Sequence, residues 1–234
     1  LRDYITDQEL YEKIVDRYES KKSNEDLFIM SISMQNHGGY TEKYDNFDEK
    51  ARMLGINYPD VNQYLSLIHE SDSALEYLIS YFEKVDDPVE IVFFGDHQPS
   101  LSSSFYPYLN GKGLGGLTLS ELENLYTVPF FIWTNYDSGK ESVELTSLNY
   151  LSTLALERAG IALPAYNQFL ADMMEEIPAV NSRGFYSKSQ GKFLHVEDAA
   201  GEDAKWLKNY EILQYNNMFD KRNKSGLFFP YLKQ

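Results

Sequence analysis

Four apolar β-formers, Ile91-Val92-Phe93-Phe94, are followed at once by Gly95, Asp96 and His97, and Pro99 comes two positions later. Valine, isoleucine and phenylalanine suit a pleated strand, and proline, lacking an N–H, stops one. The run therefore predicts a buried strand with a carboxylate beside an imidazole at its C-terminal end. In open α/β sheets, ligands bind at that end. A carboxylate next to an imidazole is a partial shell for a divalent cation. The plainer alternative is a turn in which Asp96 accepts backbone N–H bonds and His97 lies on the surface.

A second segment copies the first. Leu27 to Met34 (LFIMSISM) is apolar and reads as a buried strand, and Gln35-Asn36-His37-Gly38-Gly39 follows it. The two glycines let the backbone turn sharply. Two such edges on neighbouring parallel strands would bring His37 within reach of Asp96 and His97. The alternative is that Asn36 and His37 simply cap a turn.

Helical periodicity marks residues 7–20, 60–84, 147–160, 167–176 and 203–215. In the second of these, Val61, Leu65, Ile68, Leu75, Ile79 and Phe82 share a face, with Asp60 as the expected N-cap. Asp72 falls on that same face, where a carboxylate needs a partner. Either it supports the site from behind or, more simply, it bonds to a neighbouring backbone. Residues 128–133 read as another strand, 182–196 as a small hairpin, and 100–126 as a long Ser/Gly/Tyr-rich loop of the kind that carries function. Ser147 and Gly160 are the expected start and stop signals of the 147–160 helix. His69 reads as a helix-surface or packing residue and His195 as exposed, so neither joins the site. Strands alternating with helices, several of the strands wholly apolar, predict an α/β fold with a mostly parallel sheet flanked by helices. Its core would span 1–180, with a C-terminal hairpin-plus-helix subregion at 181–234.

Composition excludes several function classes. The formal charge of −15 argues against nucleic acid and against adhesion to an anionic membrane surface. With no cysteine there are no disulfides and no thiolate metal sites. No Gly-x-Ser-x-Gly elbow, Gly-x-x-x-x-Gly-Lys loop or His-Glu-x-x-His helix occurs. No stretch approaches a membrane span in length, and the first residue is Leu1 rather than Met. A processed or excised piece of a longer protein is the expectation.

Four blocks in order, SMQNHGGY (33–40), IVFFGDHQPSL (91–101), TVPFFIWTNYD (127–137) and SLNYLSTLALERAGIALP (147–164), carry a resemblance. The chain resembles the C-terminal half of the sulfatase-like catalytic domain of lipoteichoic acid synthases and related phosphoglycerol transferases, within the alkaline phosphatase superfamily. The resemblance implies that Asp96 and His97 ligate the catalytic metal, manganese first, with magnesium or zinc as alternatives. It implies that His37 contacts the substrate phosphate, although Gln35 departs from the family's usual residue. It places the nucleophilic threonine, the acidic metal ligand and the membrane spans upstream of this chain. Two ligands alone are too few for a tight metal site, so the chain by itself is expected to be inactive.

The implied activity is transfer of glycerophosphate from phosphatidylglycerol to a lipoteichoic-acid-type or glycan acceptor, through a covalent phospho-threonine, on the extracellular face of a bacterial membrane. A sulfatase, phosphodiesterase or phosphoethanolamine transferase of the same superfamily is the first alternative, and a non-catalytic binding module the second. A sheet lacking its neighbouring strands would expose an apolar edge, so self-association is a further expectation.

Overall fold

The computed structural model describes residues 1–220. The chain divides into two compact units, one formed by residues 1–89 and 96–116, the other by residues 90–95 and from 117 onward.

The first unit is built on two helices. Helix α1 (Asp7–Glu19) opens with a capping box: the Thr6 hydroxyl accepts from the Glu9 N–H, and the Glu9 carboxylate accepts from the Thr6 N–H. Asp7 and Glu9 in its first turn also complement the helix dipole. Helix α2 (Pro59–Phe82) starts with proline at its first position, where a missing N–H costs nothing. The two helices pack together, and the Tyr18 ring meets Phe82 edge-on at 5.2 Å. Tyr11 and Val15 on α1 are buried, as are Leu67, Ala74, Leu78 and Phe82 on α2.

That stripe on α2 differs from the predicted one. Ile68 is exposed, and Leu65, Leu75 and Ile79 are only half-buried. Asp72 is exposed with them, so it needs no buried partner. The helix is apolar along two stripes, and packing selects the one that runs through the small Ala74. Asp60 lies inside the first turn rather than at the cap, which is Tyr58. There its carboxylate accepts from the Ser102 N–H at 2.6 Å.

Leu27–Met34 is the other departure. It is no strand: it pairs with no ladder among the described residues, and Phe28 and Ile32 are 89% and 74% exposed. An extended chain becomes a strand only where a neighbour supplies N–H and C=O groups, and none lies alongside. The predicted 100–126 loop also contains regular structure, namely helices α3 (Phe105–Asn110) and α4 (Leu119–Glu123) with short 3₁₀ turns between and after them. Thr118 and Glu121 form a second capping box at the start of α4.

The second unit holds two antiparallel strand pairs. Strand β1 (Glu90–Phe94) pairs with β2 (Phe130–Thr134), Val92 opposite Ile132, and the Phe93 and Phe131 rings stack at 5.2 Å. Helices α5 (Leu151–Arg158) and α6 (Ala165–Glu176) follow. Ser147 caps the 3₁₀ turn that precedes α5 rather than α5 itself. Gly160 ends α5 in a left-handed conformation, φ 69°, which a residue without Cβ adopts freely. The hairpin β3 (Gly184–Ser187) with β4 (Lys192–His195) and helix α7 (Gly201–Met218) complete the described part. Tyr150, Leu170, Met173, Ile177, Phe185 and Tyr210 form the core of this unit. At its centre the Tyr150 hydroxyl donates to the Ile177 carbonyl at 2.7 Å, so burial strands no polar group there. Both sheets are antiparallel pairs, so the predicted mostly parallel sheet is not formed among the described residues. The part of the predicted C-terminal subregion after residue 220 lies outside the described residues.

Candidate functional site

Asp96 and His97 follow strand β1 directly, as the sequence implies, and both are open to solvent, with side chains 80% and 70% exposed. Two bonds define their geometry. Asp96 Oδ1 accepts from the His97 N–H at 2.8 Å, the tight turn foreseen as the plainer alternative. His97 Nδ1 lies 2.9 Å from the Gln98 carbonyl oxygen. A carbonyl only accepts, so in the neutral ring Nδ1 carries the proton and Nε2 presents its lone pair.

Asp96 Oδ2 and His97 Nε2 are thus left 3.5 Å apart, two electron-pair donors on the same side of the turn. Donors with that separation can share one cation at bond lengths of about 2.0–2.2 Å. A backbone acceptor behind a ligating imidazole is also the usual device for fixing its tautomer. The pair therefore fits as two ligands of a divalent metal. The described residues contain no cluster of three or more His, Asp or Glu side chains suited to hold one, so they supply only part of a coordination sphere.

His37 sits on a turn of very different quality. Gln35 is 2% exposed. Its side-chain carbonyl accepts from the Asp7 N–H at 3.1 Å, and its amide donates to Ser71 Oγ at 3.1 Å. The Asn36 amide donates to the same hydroxyl at 2.8 Å, and Ser71 donates to Asp7 Oδ2 at 2.5 Å. The Arg2 guanidinium donates to the His37 and Gly39 carbonyls at 3.1 and 3.2 Å. Arg2 itself is buried against the rings of Tyr4, Tyr40 and Tyr44, 5.4–5.7 Å from their centroids. Only the imidazole of His37 is free to act. It is exposed, with Nδ1 3.2 Å from the Tyr4 hydroxyl.

Tyr40, at the end of this turn, is buried and feels the charge of Asp96. Burial pushes its hydroxyl up to about 12; neighbouring Tyr64 and the charge of Asp96 add to the rise, and Arg2 opposes it. Beyond both turns lies a cleft of about 680 Å³ lined by Gly39, Tyr40 and Thr41, by Asn57 to Asp60, and by Ser100 to Ser102 and Ser104. The segments after His37 and after His97 thus meet at one cavity within the first unit. His69 and His195 are exposed, as expected, and take no part.

Sequence reading missed Arg2, Tyr4 and the Asp7–Ser71 link. Polar residues such as Gln35 next to an apolar run were the signal, since a buried amide must find partners. Nothing in the sequence names those partners.

Comparison with known proteins places the chain. The sulfatase family model matches residues 2–161. The chain belongs to the sulfatase family. This sulfatase-like domain is 22% identical over 234 residues to a putative cyclic beta-1,2-glucan modification protein of Rhizobium meliloti (strain 1021), covering 97% of the chain and 36% of that protein. It is 34% identical over 105 residues to the capsular polysaccharide biosynthesis protein RkpI of the same organism, covering 45% of the chain and 18% of that protein. The chain spans about a third or less of these relatives' lengths. Among solved structures it is similar to Streptococcus pyogenes phosphoglycerol transferase GacH in complex with sn-glycerol-1-phosphate, with TM-score 0.62 and 20% identity over 90% of this chain and 48% of that one. The fold is therefore α/β and sulfatase-like, of the alkaline phosphatase superfamily.

Proposed function

We propose that this chain is part of a metal-dependent phosphoglycerol transferase that delivers glycerophosphate to a glycan. The observation that carries the reading is the paired presentation of Asp96 Oδ2 and His97 Nε2, 3.5 Å apart, with the tautomer of His97 set by the Gln98 carbonyl. The fold it shares with GacH, a phosphoglycerol transferase, and the glycan-related names of both rhizobial relatives support the choice of substrates.

In this reading Asp96 and His97 hold a divalent cation, manganese by preference. When bound, the cation compensates negative charge on the phosphoryl oxygens. His37, on its rigid turn, donates a hydrogen bond to a non-bridging phosphate oxygen or a glycerol hydroxyl. Phosphatidylglycerol is the proposed donor, the nucleophile is a threonine contributed from outside this chain, and the extracellular face of a bacterial membrane is the proposed location. No helix among the described residues is long and apolar enough to cross a membrane.

The test is a pair of substitutions in the intact protein, read by manganese content and by glycerophosphate transfer. Asp96→Asn should lose bound manganese and at least about 100-fold in turnover, because even residues behind a ligand cost 10–100-fold. His37→Ala should keep the manganese and raise KM for the donor. Undiminished turnover in Asp96→Asn would remove it from the metal shell. Loss of manganese in His37→Ala would make His37 a ligand instead.

A further inference from the structure

The cleft beside the two turns has a chemistry that the phosphate reading does not use. Its volume of about 680 Å³ lies within the range of about 300–1,000 Å³ usual for small-molecule sites. Among the described residues no lysine, arginine or histidine lines it, and the one charged residue there is Asp60, a carboxylate. An anionic ligand would find no counter-charge there. What it does offer is tyrosine rings, serine and threonine hydroxyls, and the Asn57 amide, which both donates and accepts.

Its walls are also fixed in advance. Tyr58 packs edge-on against Phe105 at 5.2 Å, and its hydroxyl donates to the Ser104 carbonyl at 3.1 Å. Tyr40 is held by Tyr64 at 5.6 Å and donates to the Asn36 carbonyl at 2.7 Å. Asp60 Oδ2 accepts from the Ser102 N–H and so anchors the loop that follows Asp96 and His97. With these polar atoms engaged, Tyr58 presents an apolar ring. Asn57, Thr41 and Ser100 are exposed along the rim. A ring platform bordered by small hydroxyl and amide groups matches the apolar faces and equatorial hydroxyls of a pyranose.

We infer that this cleft is the acceptor subsite, binding a neutral saccharide unit of the glycan next to the Asp96–His97 pair. The inference rests on the transferase reading for its purpose but not for its test. Neutral gluco-oligosaccharides are titrated against the intact protein, and binding is followed by calorimetry and saturation-transfer NMR with no donor present. Wild type should bind. Asn57→Ala should bind about tenfold more weakly, as expected for one lost hydrogen-bonding group. Tyr58→Ala should lose most of the affinity, and Tyr58→Phe, which keeps the ring, should retain it. If Tyr58→Ala fails to fold, Asn57→Ala and Tyr58→Phe still decide the matter.

No binding by wild type, or equal binding by wild type and Asn57→Ala, would overturn the subsite. Glycerophosphate transfer, assayed in parallel with manganese present, separates the two claims. Saccharide binding by a wild type that transfers no glycerophosphate would sink the transferase reading and leave the cleft standing. Absent binding with metal-dependent turnover intact would do the reverse.

Discussion

Leu27–Met34 and Glu90–Phe94 are runs of one kind, each apolar and each leading into a polar turn with a histidine, yet the structure treats them in opposite ways. The second run is hydrogen-bonded into a ladder with β2, while its turn, Asp96-His97, is exposed and held mainly by its own backbone. The first run makes no ladder among the described residues, while its turn, Gln35 to Tyr40, is bound by the Asp7 N–H and by the side chains of Ser71 and Arg2. Order in a run and order in the turn after it are therefore separate matters. A ladder fixes backbone through a neighbouring strand, whereas buried amides and hydroxyls fix a turn through specific partners.

The comparison is broken most directly at Gln35. Gln35→Ala leaves the Asp7 N–H and the Ser71 hydroxyl short of a partner, and should cost about 1–3 kcal/mol in urea unfolding. A loss below about 0.5 kcal/mol would show that the turn is held by something else.

On the laddered run the sharper probe is Glu90. Burial raises its carboxyl above the usual range, the charge of Arg158 offsetting part of the rise, and among the described residues Oε2 has no hydrogen-bond partner. A raised value in the folded state means that ionisation favours unfolding, so this group's contribution falls as pH climbs from the ordinary glutamate value through the raised one. Glu90→Gln should therefore raise Tm at pH 7, by less than Gln35→Ala lowers it. The gain should vanish near pH 4, about the ordinary glutamate value, where both chains are neutral at this position. An unchanged gain at pH 4 would rule out the charge as its cause.

The smallest effect belongs to the unpaired run. Phe28→Ser alters a side chain that is almost wholly exposed and should shift stability by no more than about 0.5 kcal/mol. A loss well above that in the intact protein would mean that the run is covered there.

These cases also show what a sequence can disclose. The helices were legible because their period is local, and Gly160 ends α5 where expected; the N-caps were not, since neither Asp60 nor Ser147 caps the α-helix assigned to it. Strand β1 and the Asp96-His97 turn were legible in place, but the expected burial of the strand was not met: none of its residues is buried and Phe94 is 42% exposed. The fate of Leu27–Met34 was not, because a strand is completed by a partner that its own residues do not specify. The stripe on α2 was misread since Ile68 and Leu78 are equally apolar, and only packing separates them. In the site, Asp96, His97 and His37 stood out by chemistry. Arg2 did not, because its role depends on carbonyls 35 and 37 positions away.

The Ser71 hydroxyl has one proton and two lone pairs, and all three are engaged: it donates to Asp7 and accepts from Gln35 and Asn36. Through that one oxygen, the first turn of α1, the middle of α2 and the peptide before His37 are geared to one another. A slip of α1 by a single residue is about 1.5 Å along its axis. Misplacement by about 1 Å is already enough to cost a reacting group its geometry. The aim of the His37 imidazole is thus set by how two helices mesh, and a change of side chain along that seam would detune it from a distance.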